Sequence, residues 1–357
     1  MRSYRIAVIP GDGVGPEVVA EGLKALAALA DAAGGALRFD LERFDWGSER
    51  YLRTGRMMPE DGLERLAQFD AVYLGAVGDP RVPDHVTLHG LLLPIKMGFD
   101  LYVGLRPVRL HAGVESALAG KAPGSIDIVL VRENTQGEYA DIGGIVGSGE
   151  QALAVQSALF TQPGCARIVR YAFDHARAHG RRKVTSVTKS NAQRFGMVFW
   201  DRVFWEVARE YPDIQAESRL VDAAAMDVVR RPESFDVLVA SNLFADILSD
   251  LVAAVTGGLG LAPGASFRPD RARPGLFDPV HGSAPDIAGR GLANPLAAIL
   301  TAGLMLDYLG EGEAAERLRR AVAGCLAARE VRTPDLGGRS STAQVGDEVA
   351  RRIRAAA

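Results

Sequence analysis

Short apolar, β-rich runs alternate with longer amphipathic stretches in both halves of the chain. IAVI at 6–9 is followed by an amphipathic stretch from Val14 to Ala33, then LRFDLERF, a helical pattern near Glu60 to Gln68, and AVYLGA. The alternation resumes with RKVTSVT, a helical pattern through Phe195 to Glu210, IQAESRLV, a helix from Ala223 to Val229, and FDVLVAS. Strands alternating with helical patterns predict an α/β fold with parallel strands and crossover helices. Between the two series, IDIVLVRE, GEYADIGGIVGSGE and ALAVQSALF read as extended structure with turns, in the manner of hairpin arms. From Pro295 onward the chain reads as helical.

At 357 residues the chain is long for one core, which predicts two domains or one large domain with an insertion. A net charge of -3 gives no general attraction to nucleic acid or to an anionic membrane, so any anion site must be a local cluster. The only cysteines, Cys165 and Cys325, are far apart and form no C-x-x-C pattern. That argues against a disulfide scaffold or a thiolate metal site and suits a reducing cytoplasm. No apolar run reaches the roughly 18 residues of a membrane span, and the N-terminal run is too short for a signal-peptide core.

The loop PGDGVGPE at 10–17 approaches the dinucleotide fingerprint G-x-G-x-x-G but carries Pro16 at the third glycine position. Proline is preorganised for a first helical turn and has no amide hydrogen for a phosphate, so this is a strand-to-helix turn of another kind. In SNLFADILSDLVAAV, Asp246 and Asp250 are spaced i, i+4 on an otherwise apolar helix and share one face. Two readings stand side by side: a site for Mg²⁺ or Mn²⁺, whose oxygen-only ligand preference these residues match, or a narrow solvated stripe.

Lys189 lies where a strand ends, the edge at which α/β proteins place ligands. It can act as a carboxylate-binding cation or a base, and equally as a surface lysine. Lys96, Arg106 and Arg132 are cations near strand ends suited to a substrate with two or more carboxylates, or to surface salt bridges. HGSAPDIAG at 281–289 places Ser283 and Pro285 where a helix could start, with Asp286 able to accept from ribose hydroxyls; a helix cap with a structural histidine is the plain alternative.

Taken in order, IPGDGVGPEV, LRPVRL, VRENTQGEY, TKSN, NLFADILSD, DPVHGSAPDIAG and ANP resemble the β-decarboxylating dehydrogenases of the isopropylmalate/isocitrate dehydrogenase superfamily, and most of all its tartrate/D-malate members. The resemblance implies an isopropylmalate dehydrogenase-like two-domain α/β fold with a mixed central sheet, not a Rossmann fold. It implies a large cofactor-binding domain from 1–103 and 260–357, a smaller domain over 104–259 with a dimerisation arm at about 140–160, and an active site between them. In such homodimers the lysine and one metal aspartate, here Lys189 and Asp222, come from the second subunit.

By the same resemblance Lys189, assisted by Asp222, is the base, and Tyr139 protonates the enol carbon after CO₂ leaves. Asp222, Asp246 and Asp250 hold Mg or Mn. His281, Gly282, Ser283, Ala284, Pro285, Asp286 and Asn294 hold the cofactor. Relatives that use NADP commonly carry lysine and tyrosine where this chain has Asp286 and Ile287, which points to NAD; a potassium ion is an optional addition. Lys96, Arg106, Arg132 and His89 line the substrate.

Two departures bear on specificity: Lys96 replaces the family's first substrate arginine, and His89 stands where tartrate/D-malate enzymes commonly have tryptophan. D-malate or tartrate is the leading substrate, with 3-isopropylmalate or a pathway-specific malate analogue as the alternative. A non-catalytic nucleotide- or carboxylate-binding descendant is the reading of another class.

Overall fold

The computed structural model describes residues 1–355. In chain order the strands are β1 (Arg2–Gly11), β2 (Leu37–Arg43), β3 (Ala71–Ala76), β4 (Val103–Arg109), β5 (Asp127–Glu133), β6 (Gly143–Val146) and β7 (Leu153–Gln156). They continue with β8 (Lys183–Thr188), β9 (Gln215–Leu220), β10 (Val237–Ala240), β11 (Ala265–Phe267) and β12 (Gly275–Phe277). The chain divides into two compact units. One comprises Met1–Leu101, Arg106–Ile126 and Ala253–Ala357, the other Tyr102–Leu105 and Asp127–Val252. Residues 106–126 therefore cluster with the unit that holds both chain ends.

In the first unit β1 pairs in parallel with both β2 and β3, β3 pairs in parallel with β12, and β12 pairs antiparallel with β11. The sheet is thus mixed. All six residues of β3 are buried, as expected for a strand covered by helices on both faces. The long helix Gly15–Ala32 buries Val18, Val19, Ala25, Leu26 and Leu29, a helical-period stripe, while the opposite face stays wet. An apolar cluster that includes Trp46, Leu74, Leu91, Ile95 and Phe99 packs beside the sheet.

In the second unit β5, β10, β8 and β9 run parallel in that order. Helices Gln162–Ala178 and Gly196–Ala208 bury Ile168, Phe173, Trp200 and Phe204. The expected arm is an antiparallel hairpin of β6 and β7, every residue of which is exposed. No helix among the described residues is long and apolar enough to cross a membrane.

One local expectation is corrected. HGSAPDIAG does not start a helix at Ser283 and Pro285: Ala284 sits at φ +40, a left-handed conformation that interrupts a helical run, and the segment closes as successive turns. The next helix begins only at Leu296. Around His89 the chain forms a five-residue π-helix, Leu88–Leu92, which periodicity alone does not reveal.

Candidate active site

The first motif acts through a carboxylate and two close backbone approaches. Asp12 is buried, and its oxygens accept from the Ser48 amide and hydroxyl, both at 2.7 Å, and from the Gly78 amide at 2.8 Å. The loop after β1 is thereby tied to the segments that follow β2 and β3. Gly13, at φ +56, faces the Ser283 carbonyl so closely that a Cβ would lie 2.0 Å from its oxygen, and the Val14 amide donates to the same oxygen at 2.8 Å. PGDGVGPE thus braces the HGSAPD turn.

Beside that brace is a cavity of about 530 Å³, walled by Val14, Val18, Leu259, Ala284 and Ile287, with His281 and Asn294 as polar members. Mostly apolar walls with a few fixed polar groups suit an organic cofactor. His281 Nδ1 faces the Gly282 carbonyl at 2.9 Å and so carries the hydrogen, which leaves Nε2 as an acceptor. That nitrogen is enclosed and has no partner among the described residues, and burial pushes the imidazole pKa below its ordinary value. A neutral acceptor awaiting a donor is compatible with a nucleotide's hydroxyl or amino group. Of the other expected cofactor residues, Gly282 and Ala284 line the cavity, whereas Ser283, Pro285 and Asp286 do not, and Asp286 is exposed.

Lys96 is buried in the same unit with its Nζ 3.7 Å from Asp278. Arg106 is half-buried on β4, and His89 is exposed.

In the second unit β5 and the helix Asn242–Val255 build the polar cluster. Arg132, one residue from the end of β5, is only 6% exposed. Its Nε and Nη2 donate to Asn242 Oδ1 at 3.1 and 2.6 Å, its Nη1 pairs with Asp246, and its guanidinium lies 5.3 Å from the Tyr139 ring centre. The Tyr139 hydroxyl donates to Asp246 Oδ2 at 3.0 Å. Glu138 accepts from the Ser241 hydroxyl at 2.7 Å and the Leu243 amide at 3.2 Å, caps the helix and fixes its first turn against the loop after β5. Asn242 and Glu138 are two members that sequence reading passed over. Asn242 sits inside the SNLFAD motif, and Glu138 directly precedes Tyr139.

Asp250 lies one turn beyond Asp246 and is exposed, while Asp246 is partly exposed and paired as described. Within one chain the helix buries Leu248 and Val252 and exposes Asp250, as the reading of a narrow solvated stripe has it. What remains in favour of a cation is donor chemistry, since carboxylate oxygens one helical turn apart suit a hard divalent ion. Among the described residues no group of three or more His, Cys, Asp or Glu could hold a metal within one chain.

Lys189 directly follows β8, and Asp222 lies in the first turn of the helix Val221–Arg230, after β9. The Lys189 Nζ and Asp222 Oδ1 are 2.7 Å apart, and this contact holds the Asp222 carboxyl below the usual carboxylate range. The two residues assigned together by motif position are thus neighbours within a single chain.

Residues 5–349 match the isocitrate/isopropylmalate dehydrogenase family. The chain is 50% identical to a probable tartrate dehydrogenase/decarboxylase of Agrobacterium vitis, over 99% of this chain and 98% of that protein. It is 49% identical to the decarboxylating D-malate dehydrogenase of Escherichia coli K12, over 99% of each. Its fold superimposes on the crystal structure of isocitrate dehydrogenase from Methylococcus capsulatus with a TM-score of 0.88 at 36% identity, covering 98% of this chain and 99% of that one. The chain is therefore an enzyme of the isocitrate/isopropylmalate dehydrogenase family, with that family's mixed α/β fold.

Proposed function

We propose that the enzyme oxidises a malate-type 2-hydroxy acid, D-malate or tartrate, with NAD as hydride acceptor and loss of the β-carboxylate as CO₂. The observation that carries this reading is the contact among Arg132, Tyr139 and Asp246: a buried cation, a phenol and a carboxylate meet at the end of β5. The names of the relatives support the same chemistry.

Each step has a residue suited to it. Arg132, held by Asn242, binds one substrate carboxylate, with Arg106 and Lys96 available to the other. Lys189, oriented by Asp222, takes the hydroxyl proton as the C–H electron pair leaves as hydride, so the alcohol becomes a ketone. With a carbonyl now β to the leaving carboxylate, the C–C pair stays behind as an enolate when CO₂ departs. Tyr139 gives its proton to that carbon, and the product is a 2-oxo acid. Asp246 and Asp250, with Asp222 from a second subunit, would hold Mg²⁺ or Mn²⁺, which when bound supplies Lewis-acid polarisation of the hydroxyl and carboxylate oxygens.

A homodimer accords with the exposed apolar surface of the second unit. Ile145 is 77% exposed on the β6–β7 hairpin, and Met226, Val229 and Ile247 are exposed on helices. A lone two-stranded hairpin is marginal in water and gains stability when a second copy covers it. Two buried free cysteines accord with a reducing cytoplasm.

The test is NADH formation from D-malate, the tartrates, 3-isopropylmalate and isocitrate. The highest kcat/KM should fall on D-malate or a tartrate. A best substrate among the other two would replace the assignment, and no NADH from any of them would overturn the substrate and cofactor assignment together.

A further inference from the structure

One wall of the 530 Å³ cavity is made by residues to which the chemistry above gives no role: Gly260, Pro334 and Asp335, beside Asn294. Asn294 is 7% exposed, and its carboxamide is engaged from both ends. Its Nδ2 donates to Asp335 Oδ2 at 3.0 Å, and its Oδ1 accepts from the Leu296 amide at 3.0 Å. A carboxylate can only accept here and an amide N–H can only donate, so the two contacts together forbid the flipped amide. One N–H of Nδ2 and one lone pair of Oδ1 then remain, both with fixed direction.

Asp335 is delivered by a tight turn. Pro334–Leu336 form a single 3-10 turn, entered from the fully buried Thr333, whose carbonyl accepts from the Leu336 amide at 3.1 Å and the Gly338 amide at 3.0 Å. The opposite side is equally close. A Cβ on Gly260 would lie 2.8 Å from Asn294 Cβ and 3.0 Å from Asp335 Oδ2, so the wall at 260 has room for hydrogen only.

We propose that Asp335 is a positioning residue for the cofactor: it locks the Asn294 carboxamide in one orientation on the wall of the cavity that takes the nucleotide, and cofactor affinity depends on that lock. This rests on the reading that the cavity binds NAD. Asp335 touches no reacting atom in this scheme, so its loss should weaken cofactor binding and leave turnover at saturation unchanged.

The experiment measures NADH binding by fluorescence titration of the intact protein, together with Tm and the NAD dependence of turnover, for wild type, Asp335→Ala and Asp335→Asn. Asp335→Ala should raise the NADH Kd and the KM for NAD by about tenfold, the loss of one charge-assisted hydrogen bond, with kcat within about twofold. Asp335→Asn keeps an oxygen acceptor for Nδ2 and should recover most of the affinity. An unchanged Kd in Asp335→Ala, or Asp335→Asn as weak as Asp335→Ala, overturns the positioning role while leaving the cofactor assignment intact. Wild type that fails to bind NADH would instead overturn the cavity assignment, and this role with it.

Discussion

Tyr139 donates its hydroxyl hydrogen to Asp246 across 107 residues of sequence, at 3.0 Å. The hydrogen that the proposed chemistry delivers to carbon thus sits on the phenol and points at a carboxylate one helical turn from Asp250. Tyr139→Phe removes the proton and keeps the ring under Arg132. Oxidation should proceed within a few-fold of wild type, while formation of the protonated 2-oxo acid slows by about 10²- to 10⁴-fold, the usual worth of a positioned acid. Lys189→Met should suppress NADH formation itself, and the 2-oxo acid with it. Rapid-quench assay of NADH and 2-oxo acid in a single turnover separates the two, and equal effects of both variants on both products would contradict the division of roles.

Arg132 depends on Asn242 for two of its hydrogen bonds. Asn242→Ala leaves a buried guanidinium short of acceptors, which should cost about 1–3 kcal/mol of stability and raise the substrate KM more than it lowers kcat. Asn242→Asp keeps the acceptor oxygen and should recover the stability. Urea unfolding and steady-state kinetics read the two effects, and an unchanged substrate KM in the alanine variant would remove Asn242 from the binding machinery.

Much of this was legible along the chain, for reasons that differ by residue. AVYLGA becomes β3 because a fully buried parallel strand is a continuous apolar run, and Asp246 and Asp250 share a helical face because their spacing requires it. Lys189 appears at a strand end for the same local reason. What could not be read depends on contacts between distant residues. That Asn242 holds Arg132, 110 residues away, and that Asp12 ties three loops together, are facts of packing with no local signature. The HGSAPD turn misled because serine and proline favour helix starts, whereas the backbone at Ala284 is committed to a left-handed turn.

His175 supplies a test of burial through pH. Its imidazole stacks on His179 with centroids 4.1 Å apart, and burial, helped by the charges of His179 and Arg181, pushes its pKa down to about 3. Between the ordinary histidine value of about 6.5 and that lowered value, the unfolded chain takes up a proton that the folded chain refuses. The group's contribution is therefore fully present above pH 6.5 and is lost as pH falls through the window, by up to about 1.4 kcal/mol per pH unit. His175→Gln should flatten the decline in urea-unfolding stability between pH 6.5 and 4 relative to wild type. Parallel curves would contradict it.

Asp286 is exposed and carries a negative charge on the HGSAPD turn that helps to wall the cavity. A carboxylate there repels a 2′-phosphate, so kcat/KM should favour NAD over NADP. Asp286→Lys combined with Ile287→Tyr should shift the ratio toward NADP. A wild-type preference for NADP would contradict the assignment.

The most direct test of the proposed chemistry is the yield of NADH and CO₂ from one preparation turning over D-malate with Mn²⁺, before and after chelation. Equal yields of the two products, both abolished by chelator and both restored by added Mn²⁺ or Mg²⁺, are expected of oxidation and decarboxylation at a site built on Asp222, Asp246 and Asp250. NADH without CO₂, or full turnover in the presence of chelator, would contradict it.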